Sequence, residues 1–375
     1  MKAHFFPAAI VCAITYFYTA ISSQDLGDFQ VFPADNVWKW DISGYQVHPN
    51  SANFIASVGT SRNMHPDFGT EWEGAPIGIP YVVVTASQAK IPVNYTDYGD
   101  ESDDGPFPIP LTAPIEGGAA SDGDRHVIAI DKDARMLYEL YYAFPRSDRW
   151  DAASGAKFDL SINDDHPLDW TSADAAGLPI FPGLVRYEEV YGRGEVNHAI
   201  RMTCQSTQRA YIYPARHYAS NKTDPNLPPM GLRFRMKASY DISRFSAPIQ
   251  VICRAMKKHG LIVADNGGNW YISGAPDSRW DDDVLGEIKT IPGSAFEALL
   301  TVDAQGNPIK PAGVQAWTPR RIATSTPHHS IRFFNGRWTY NRIDSRNFES
   351  TVFDLRGEII PDNNGSPSFP DMIRR

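Results

Sequence analysis

Short apolar runs separated by turn residues recur along the chain and predict many short strands. Val127–Asp131 and residues 136–144 flank a polar turn, a pattern typical of a β-hairpin. Residues 199–203 and 209–213 form a second apolar pair that predicts two strands paired with each other, and 261–264 predicts a further strand. The pattern therefore indicates a mostly antiparallel β domain, sandwich or jelly-roll-like.

Helical periodicity is clearest over residues 246–259. Ile249, Ile252 and Met256 recur on one side, and Gly260 follows directly, so we predict a packed helix at about 247–259. The acidic, proline-rich segment 97–114 suits neither a helix nor a central strand and predicts an extended surface loop or lid.

The chain divides by composition into four parts. Residues 1–23 combine Lys2, an apolar run and small residues, as a secretory signal peptide does. We then predict a main β-rich domain at 24–300, a linker at 301–319 and a small C-terminal β module at 320–375. No later apolar run is long enough to predict a membrane span.

Charge and cysteine content narrow the classes of function. The net charge of -9 argues against a surface that follows nucleic-acid phosphates. Cys204 and Cys253 would remain after signal removal, either as a disulfide in an oxidising compartment or as buried free thiols.

Polar residues that can carry chemistry concentrate in residues 172–217 and just before Val127–Asp131. If that strand begins near Asp122, alternation places Asp122, Asp124 and His126 on one face as an acid/base cluster. A turn-forming Asp-Gly-Asp is the structural alternative.

Three histidines lie at or near predicted strand ends: His126, His198 and His217. We expect them to converge in one pocket, beside Asp124 or Asp265, with His198 or His217 as a general base. Converging imidazoles would also suit a metal, although the chain lacks a short His-x-His pattern. Each histidine has the alternative of a hydrogen-bonded structural role.

Two reaction types fit the remaining candidates. Glycoside hydrolysis needs two carboxyl groups, for which the candidates are Asp122, Asp124, Asp174, Glu188, Glu189 and Asp265. Lyase chemistry on uronic acids needs a charge neutraliser and a base. Predicted substrate-binding residues, several of which could supply these groups, are Arg186, Tyr187, Arg201, Tyr211, Arg216 and Trp270.

Several motifs resemble those of a group of secreted bacterial proteins of uncharacterised function. They are GIPYVVV at 78–84, DGDRH at 122–126, GLPIFPGLVR at 177–186, HAIR at 198–201, PARH at 214–217, ADNG at 264–267 and APDSRWDD at 275–282. The resemblance spans about 36–297 and implies no activity.

The C-terminal motifs FFNGRWTY at 333–340 and VFDLRG at 352–357 resemble the sorting modules of Gram-negative bacteria. That resemblance implies contact with an export machinery and raises the expectation of a glycan substrate, because such modules often accompany polysaccharide-degrading enzymes.

The sequence thus favours a secreted or cell-surface enzyme that cleaves a polysaccharide, with a glycoside hydrolase preferred over a lyase. A non-catalytic glycan-binding or cell-surface protein is the second hypothesis, and a metal-dependent hydrolase or oxidase is the third. We predict no cofactor, no bound metal and no nucleic-acid partner.

Overall fold

The computed structural model describes residues 26–311, 314, 328–334, 337–343 and 348–353. Contacts divide the chain into two compact units, Met1–Ala316 and Trp317–Arg375. The predicted signal peptide, part of the predicted linker and most of the predicted C-terminal module lie outside the described residues.

The chain forms three α-helices and eighteen strands within its described part. The helices are α1 Ser51–Val58, α2 Ala247–Lys258 and α3 Asp282–Gly286. The strands of the first unit are β1 His65–Asp67, β2 Glu71–Trp72, β3 Ala75–Pro76, β4 Tyr81–Val84, β5 Val93–Tyr95, β6 Val127–Asp131, β7 Met136–Tyr141, β8 Phe144–Pro145, β9 Trp150–Ala152, β10 Ser154–Asp159, β11 Ile200–Cys204, β12 Arg233–Met236, β13 Leu261–Asn266, β14 Tyr271–Ser273 and β15 Phe296–Ala298. The second unit holds β16 His328–Phe334, β17 Arg337–Ile343 and β18 Phe348–Phe353, which form one antiparallel sheet.

A six-stranded sheet forms the centre of the first unit, in the order β1-β14-β11-β13-β12-β15. Strand β11 runs parallel to β13 and antiparallel to β14, so the sheet is mixed. The prediction of a β-rich fold is confirmed, and most of the described strand pairs are antiparallel. The sheet order supplies no evidence for a sandwich or a jelly roll.

A four-stranded sheet, in the order β10-β7-β6-β4, is buried on both faces. The predicted β6–β7 hairpin is confirmed by their antiparallel pairing. In β6, Ile128 and Ile130 join the main core, whereas Val127 and Ala129 join a second core. Burial on both faces explains why this strand is apolar throughout instead of alternating.

The expectation that residues 97–114 form a surface loop is wrong, because part of this segment belongs to the second core. Phe107 and Ile109 from this segment are fully buried, and the indole nitrogen of Trp150 donates a hydrogen bond of 3.1 Å to the Ile109 carbonyl oxygen. The proline-rich segment therefore covers one face of the four-stranded sheet with its apolar residues, while Asp97, Asp100 and Asp104 are exposed.

Helix α2 forms where helical periodicity predicts it. Ile249, Ile252 and Met256 are fully buried in the main core, whereas Arg254 on the opposite side is exposed. Burying each large apolar side chain contributes roughly 1.5–3 kcal/mol. The amphipathic pattern therefore suffices to place this helix against the sheet.

The predicted strand at 209–213 is wrong. Tyr211 makes only an isolated bridge to Met230, and β11 pairs instead with β13 and β14. Because β11 uses both of its edges in this way, no edge remains for a hairpin partner. The disulfide alternative is also wrong, since Cys204 and Cys253 are buried free thiols.

Candidate active site

Arg201 lies at the centre of a charged cluster, where β11 and its neighbours β13 and β14 meet the loop at 171–178. Its side chain on β11 is only 5% exposed. The guanidinium donates two hydrogen bonds of 2.9 and 2.8 Å to Asp174, one of 3.1 Å to Asp265 and one of 2.8 Å to Ser273 Oγ. One buried cation thus holds two predicted catalytic carboxylates together.

The two carboxylates differ in their surroundings. The Asp174 side chain is fully buried and is held by both ends of the Arg201 guanidinium, whereas that of Asp265 is 21% exposed and receives one hydrogen bond from it. Burial raises the pKa of Asp265 to about 7 and the negative charge of Asp174 adds to the rise, against the opposing effect of Arg201. Asp265 is therefore about half protonated at pH 7, and its side chain is partly exposed.

A second charged pair, His126 and Glu116, lies beside this cluster. His126 precedes β6 directly, and its Nδ1 lies 2.6 Å from Glu116 Oε2. Burial opposes the charged imidazole, but the Glu116 charge and hydrogen bond overcome it and raise the pKa of His126 to about 9. Burial likewise opposes ionisation of Glu116, yet the charge and hydrogen bonds of His126 lower the Glu116 pKa below its usual range.

The His126–Glu116 pair predicts a pH-dependent part of the stability. A raised histidine pKa stabilises the fold below the unfolded value of 6.5, and that stabilisation is lost as the pH rises through about 9. We expect the difference in free energy of unfolding between the wild type and His126→Asn to shrink by on the order of 3 kcal/mol between pH 6 and pH 10. Urea unfolding at several pH values measures it, and a constant difference would contradict the pairing.

Further acidic groups interact electrostatically with the Arg201 cluster and with the His126–Glu116 pair. Asp67 is the last residue of β1, and part of its surface is exposed. Desolvation of its carboxyl group by the surrounding protein raises its pKa, and the charges of Glu116 and Asp124 raise that pKa further. The pKa of Tyr141 at the end of β7 is raised by burial and then by Asp124 and Asp265. The arrangement is a cluster of acidic groups that is partly open to solvent.

The expected strand face of Asp122, Asp124 and His126 is wrong. Strand β6 begins only at Val127, and Arg125 has a φ of 52°, so alternation cannot extend backwards. His126 is buried, whereas Asp122 and Asp124 are exposed. Asp124 still acts electrostatically on Asp67, His126 and Tyr141.

Backbone strain is concentrated at this edge of the sheet. Tyr142 has a φ of 50°, and its N–H donates to the Asp124 carbonyl oxygen over 2.9 Å. With Arg125, two non-glycine residues of neighbouring segments thus adopt a left-handed backbone beside His126. Such conformations cost about 1–3 kcal/mol each and cluster at functional sites.

Two of the three histidines predicted for the site contact the same loop, residues 171–178. His126 Nε2 lies 3.1 Å from the Ala173 carbonyl oxygen, and His217 Nδ1 lies 2.9 Å from that of Ala175. His217 also approaches Glu101 at 3.7 Å.

His198 does not join the other two histidines, so the expected three-histidine pocket is wrong. Its ring contacts the Ala199 carbonyl oxygen at 2.7 Å and Glu189 at 3.2 Å, in a separate buried cluster. The expectation depended on a 209–213 strand pairing with β11, and that strand does not form. His198 therefore has the structural role given as its alternative.

Arg186 belongs to the same separate cluster. It is buried, forms an ion pair with Glu189 and donates hydrogen bonds of 3.1 Å to the carbonyl oxygens of Phe181 and Leu184. Tyr187 follows it and stacks on Tyr191, at 4.6 Å between ring centroids. Neither predicted substrate-binding residue contacts the Arg201 cluster.

The other predicted substrate-binding residues have mainly structural surroundings. Trp270 is fully buried, stacks on Phe296 and donates a hydrogen bond of 2.9 Å to the Gly59 carbonyl oxygen, so its assignment to substrate binding is wrong. Tyr211 donates to Asp169 over 2.9 Å, and Arg216 donates to the His166 carbonyl oxygen over 2.8 Å. Arg201 donates four hydrogen bonds to protein groups, from a side chain with five donors.

Sequence reasoning missed Glu116, Asp67, Tyr141 and Glu139. Glu139 on β7 is fully buried and accepts hydrogen bonds from the backbone N–H groups of Ile180 and Phe181, and burial raises its pKa to about 7. A carboxylate inside an otherwise apolar strand was the available signal for Glu139. Glu116 and Asp67 lie in turn-rich segments that offered no such signal.

Comparisons with protein-family models, curated proteins and solved structures found no match. Within the residues that the structure describes, no group of three or more His, Cys, Asp or Glu side chains is arranged to hold a metal ion. No helix in that part of the chain is long and apolar enough to cross a membrane.

Proposed function

We propose that this protein is a secreted carbohydrate-active enzyme that hydrolyses a polysaccharide. The observation that carries the proposal is the pair of carboxyl groups near Arg201, Asp265 and Glu116, whose pKa values are shifted in opposite directions. Their side chains are 21% and 23% exposed, so both are open to a substrate. The apolar, positively charged pattern at residues 1–23 supports secretion.

The two groups suit complementary roles in glycoside hydrolysis. Asp265, about half protonated at pH 7, donates a proton to the leaving oxygen. Glu116, ionised through its contact with His126, supplies the carboxylate that activates water or stabilises the positive charge on the sugar. Arg201 interacts with both groups electrostatically and donates two hydrogen bonds to Asp174.

The same geometry supports hydrolysis over lyase chemistry. A uronate lyase needs a free cation to neutralise the substrate carboxylate, but Arg201 already binds Asp174, Asp265 and Ser273. The acidic groups Asp67 and Asp124 would repel a polyuronate approaching the cluster. A neutral or amino-sugar polymer suits this acidic cluster better.

Exposed aromatic rings beside the acidic cluster support a glycan substrate. Tyr98 and Tyr142 are 49% and 43% exposed, and both act electrostatically on Tyr141. Such rings offer flat apolar faces to sugars. Trp72, on the β2–β3 hairpin and 70% exposed, is the observation that favours glycan binding without catalysis as the second candidate.

A polysaccharide panel tests the proposal. Neutral, amino-sugar and uronate polymers are incubated with the protein, and new reducing ends and absorbance near 235 nm are recorded. We expect new reducing ends on a neutral or amino-sugar polymer, with no absorbance gain. Absorbance gain on a uronate polymer would indicate a lyase, and retention of a polymer without cleavage would indicate the binding alternative.

A further inference from the structure

A second concave site lies under the segment 28–34, around the Arg186–Glu189–His198 cluster. It is a cavity of about 510 Å³, within the roughly 300–1,000 Å³ typical of small-molecule sites.

Charge on the cavity wall is unbalanced. Four side chains are cationic and two are carboxylates: Lys39, Arg186, Arg193 and Lys258 against Asp28 and Glu189. Glu189 is already engaged by Arg186 and His198, and by Arg193 at 3.6 Å. Lys258 is paired with Glu195 at 3.6 Å, outside the wall. The three remaining cations still outnumber the two carboxylates, so the wall has a net positive charge.

Lys39 accounts for most of the excess positive charge on the cavity wall. Its ammonium group donates one hydrogen bond of 2.9 Å, to the Phe32 carbonyl oxygen, although a lysine has three donors. Burial lowers its pKa, and the nearby charge of Arg186 lowers it further. An anion in the cavity would offset both effects.

Two buried nitrogen atoms on wall residues have no hydrogen-bond partner among the described residues. They are Arg186 Nε and His259 Nε2, on side chains that are 5% and 3% exposed. His259 Nδ1 donates to the Trp40 carbonyl oxygen over 3.1 Å, and burial lowers the pKa of His259 to about 4, so Nε2 of the neutral ring is an unused acceptor that suits a ligand hydroxyl. Arg186 Nε is an unused donor. Buried unpaired groups of this kind are rare in native proteins and often mark a site for a ligand or a water molecule.

The remaining wall is apolar and partly aromatic. Phe29, Phe32, Trp38 and Pro182 line it. An apolar lining with a few polar groups is the usual composition of a small-molecule site. The dimensions and lining suit a molecule of about the size of one sugar ring.

We propose that this cavity binds a small organic anion, a monosaccharide-sized body bearing one carboxylate or phosphate group. The anionic group lies against Lys39 and Arg193, and the body packs on the aromatic wall. This site is separate from the Arg201 cluster and does not depend on the proposed catalytic function.

Isothermal titration calorimetry on the mature chain tests the proposal with D-glucuronate, D-glucose 6-phosphate and uncharged D-glucose as probes. We expect one or both anions to bind at one site per chain, and glucose not to bind. Lys39→Met and the rim variant Arg193→Gln should each weaken binding about tenfold, which is about 1.4 kcal/mol. Lys237→Met is the matched control, because Lys237 also donates to one carbonyl oxygen, that of Ser294, but lies outside the cavity.

Either anion binding alone would identify which of the two groups the cavity prefers and would support the site. The proposal fails if neither anion binds, or if glucose binds as tightly as the anions. It also fails if affinity is unchanged in Arg193→Gln, whose side chain is 47% exposed and whose replacement should leave the fold intact.

Discussion

Replacing Asp265 with Asn is expected to reduce polysaccharide cleavage by at least about 100-fold, measured as kcat/KM on the polymer that the wild type cleaves. The amide keeps the shape of the side chain and can still accept from Arg201, but it cannot deliver a proton to a leaving group. Glu116→Gln should cause a comparable loss, because an amide cannot act as the ionised carboxylate.

Asp165 provides the matched control. Its side chain is 24% exposed, close to the 21% of Asp265, and it also lies near an arginine, Arg216 at 3.7 Å. Burial also raises its pKa. Asp165→Asn should keep activity near that of the wild type. Full activity in Asp265→Asn would remove this residue from the reaction.

The same assignment fixes the pH dependence of cleavage. Activity needs Asp265 protonated, so it should fall as the pH rises above about 7. Activity also needs Glu116 ionised, so it should fall again in acid, below the lowered pKa of that group. A wild-type rate that keeps rising from pH 7 to pH 9 would contradict the acid role of Asp265.

Replacing Arg201 with Met is expected to lower the free energy of unfolding by about 3–5 kcal/mol, because the buried Asp174 charge loses its partner. Asp174 is fully buried and accepts two hydrogen bonds from the Arg201 guanidinium. Urea unfolding followed by tryptophan fluorescence measures the change. Arg146→Met is the control, since Arg146 is 51% exposed in its pair with Asp151 and should cost at most about 1 kcal/mol.

The double variant Arg201→Met/Asp174→Asn separates charge from packing. If the unpaired carboxylate causes the loss, neutralising it should recover a large part of the stability. A double variant as unstable as the sum of the two single variants would show that Arg201 acts through packing instead.

Elements that are formed by neighbouring residues in the chain could be predicted from local sequence patterns. Helix α2 follows from its apolar stripe, and the β6–β7 hairpin follows from two apolar runs around a short turn. Asp265 was recognised as a candidate because it ends a predicted strand before a glycine-rich turn, where side chains reach open space. Asp174 and Asp265 are both predicted catalytic residues, but no local sequence feature indicates that one arginine binds both of them.

What the sequence could not supply is the order of strands in space. Strand β11 lies between β13 and β14, which come about sixty residues or more later in the chain, so its neighbours cannot be inferred from adjacent segments. The expected pairing of 209–213 with β11 placed His198 beside His217, whereas the structure separates His198 from His126 and His217. Glu116 was missed for another reason, because only the folding of the loop at 116–126 brings it to His126.

The central claim is that Asp265 titrates near neutral pH, and carbon-13 NMR of labelled aspartate carboxyl groups tests it without a substrate. Titration of the wild type should show a carboxyl resonance with an apparent pKa of about 7, well above the ordinary value of 3.8. The spectrum of Asp265→Asn should lack that resonance, and the spectrum of Asp165→Asn should retain it. If the resonance lost in Asp265→Asn titrates near 3.8, Asp265 is ionised at neutral pH and the proposed acid is wrong.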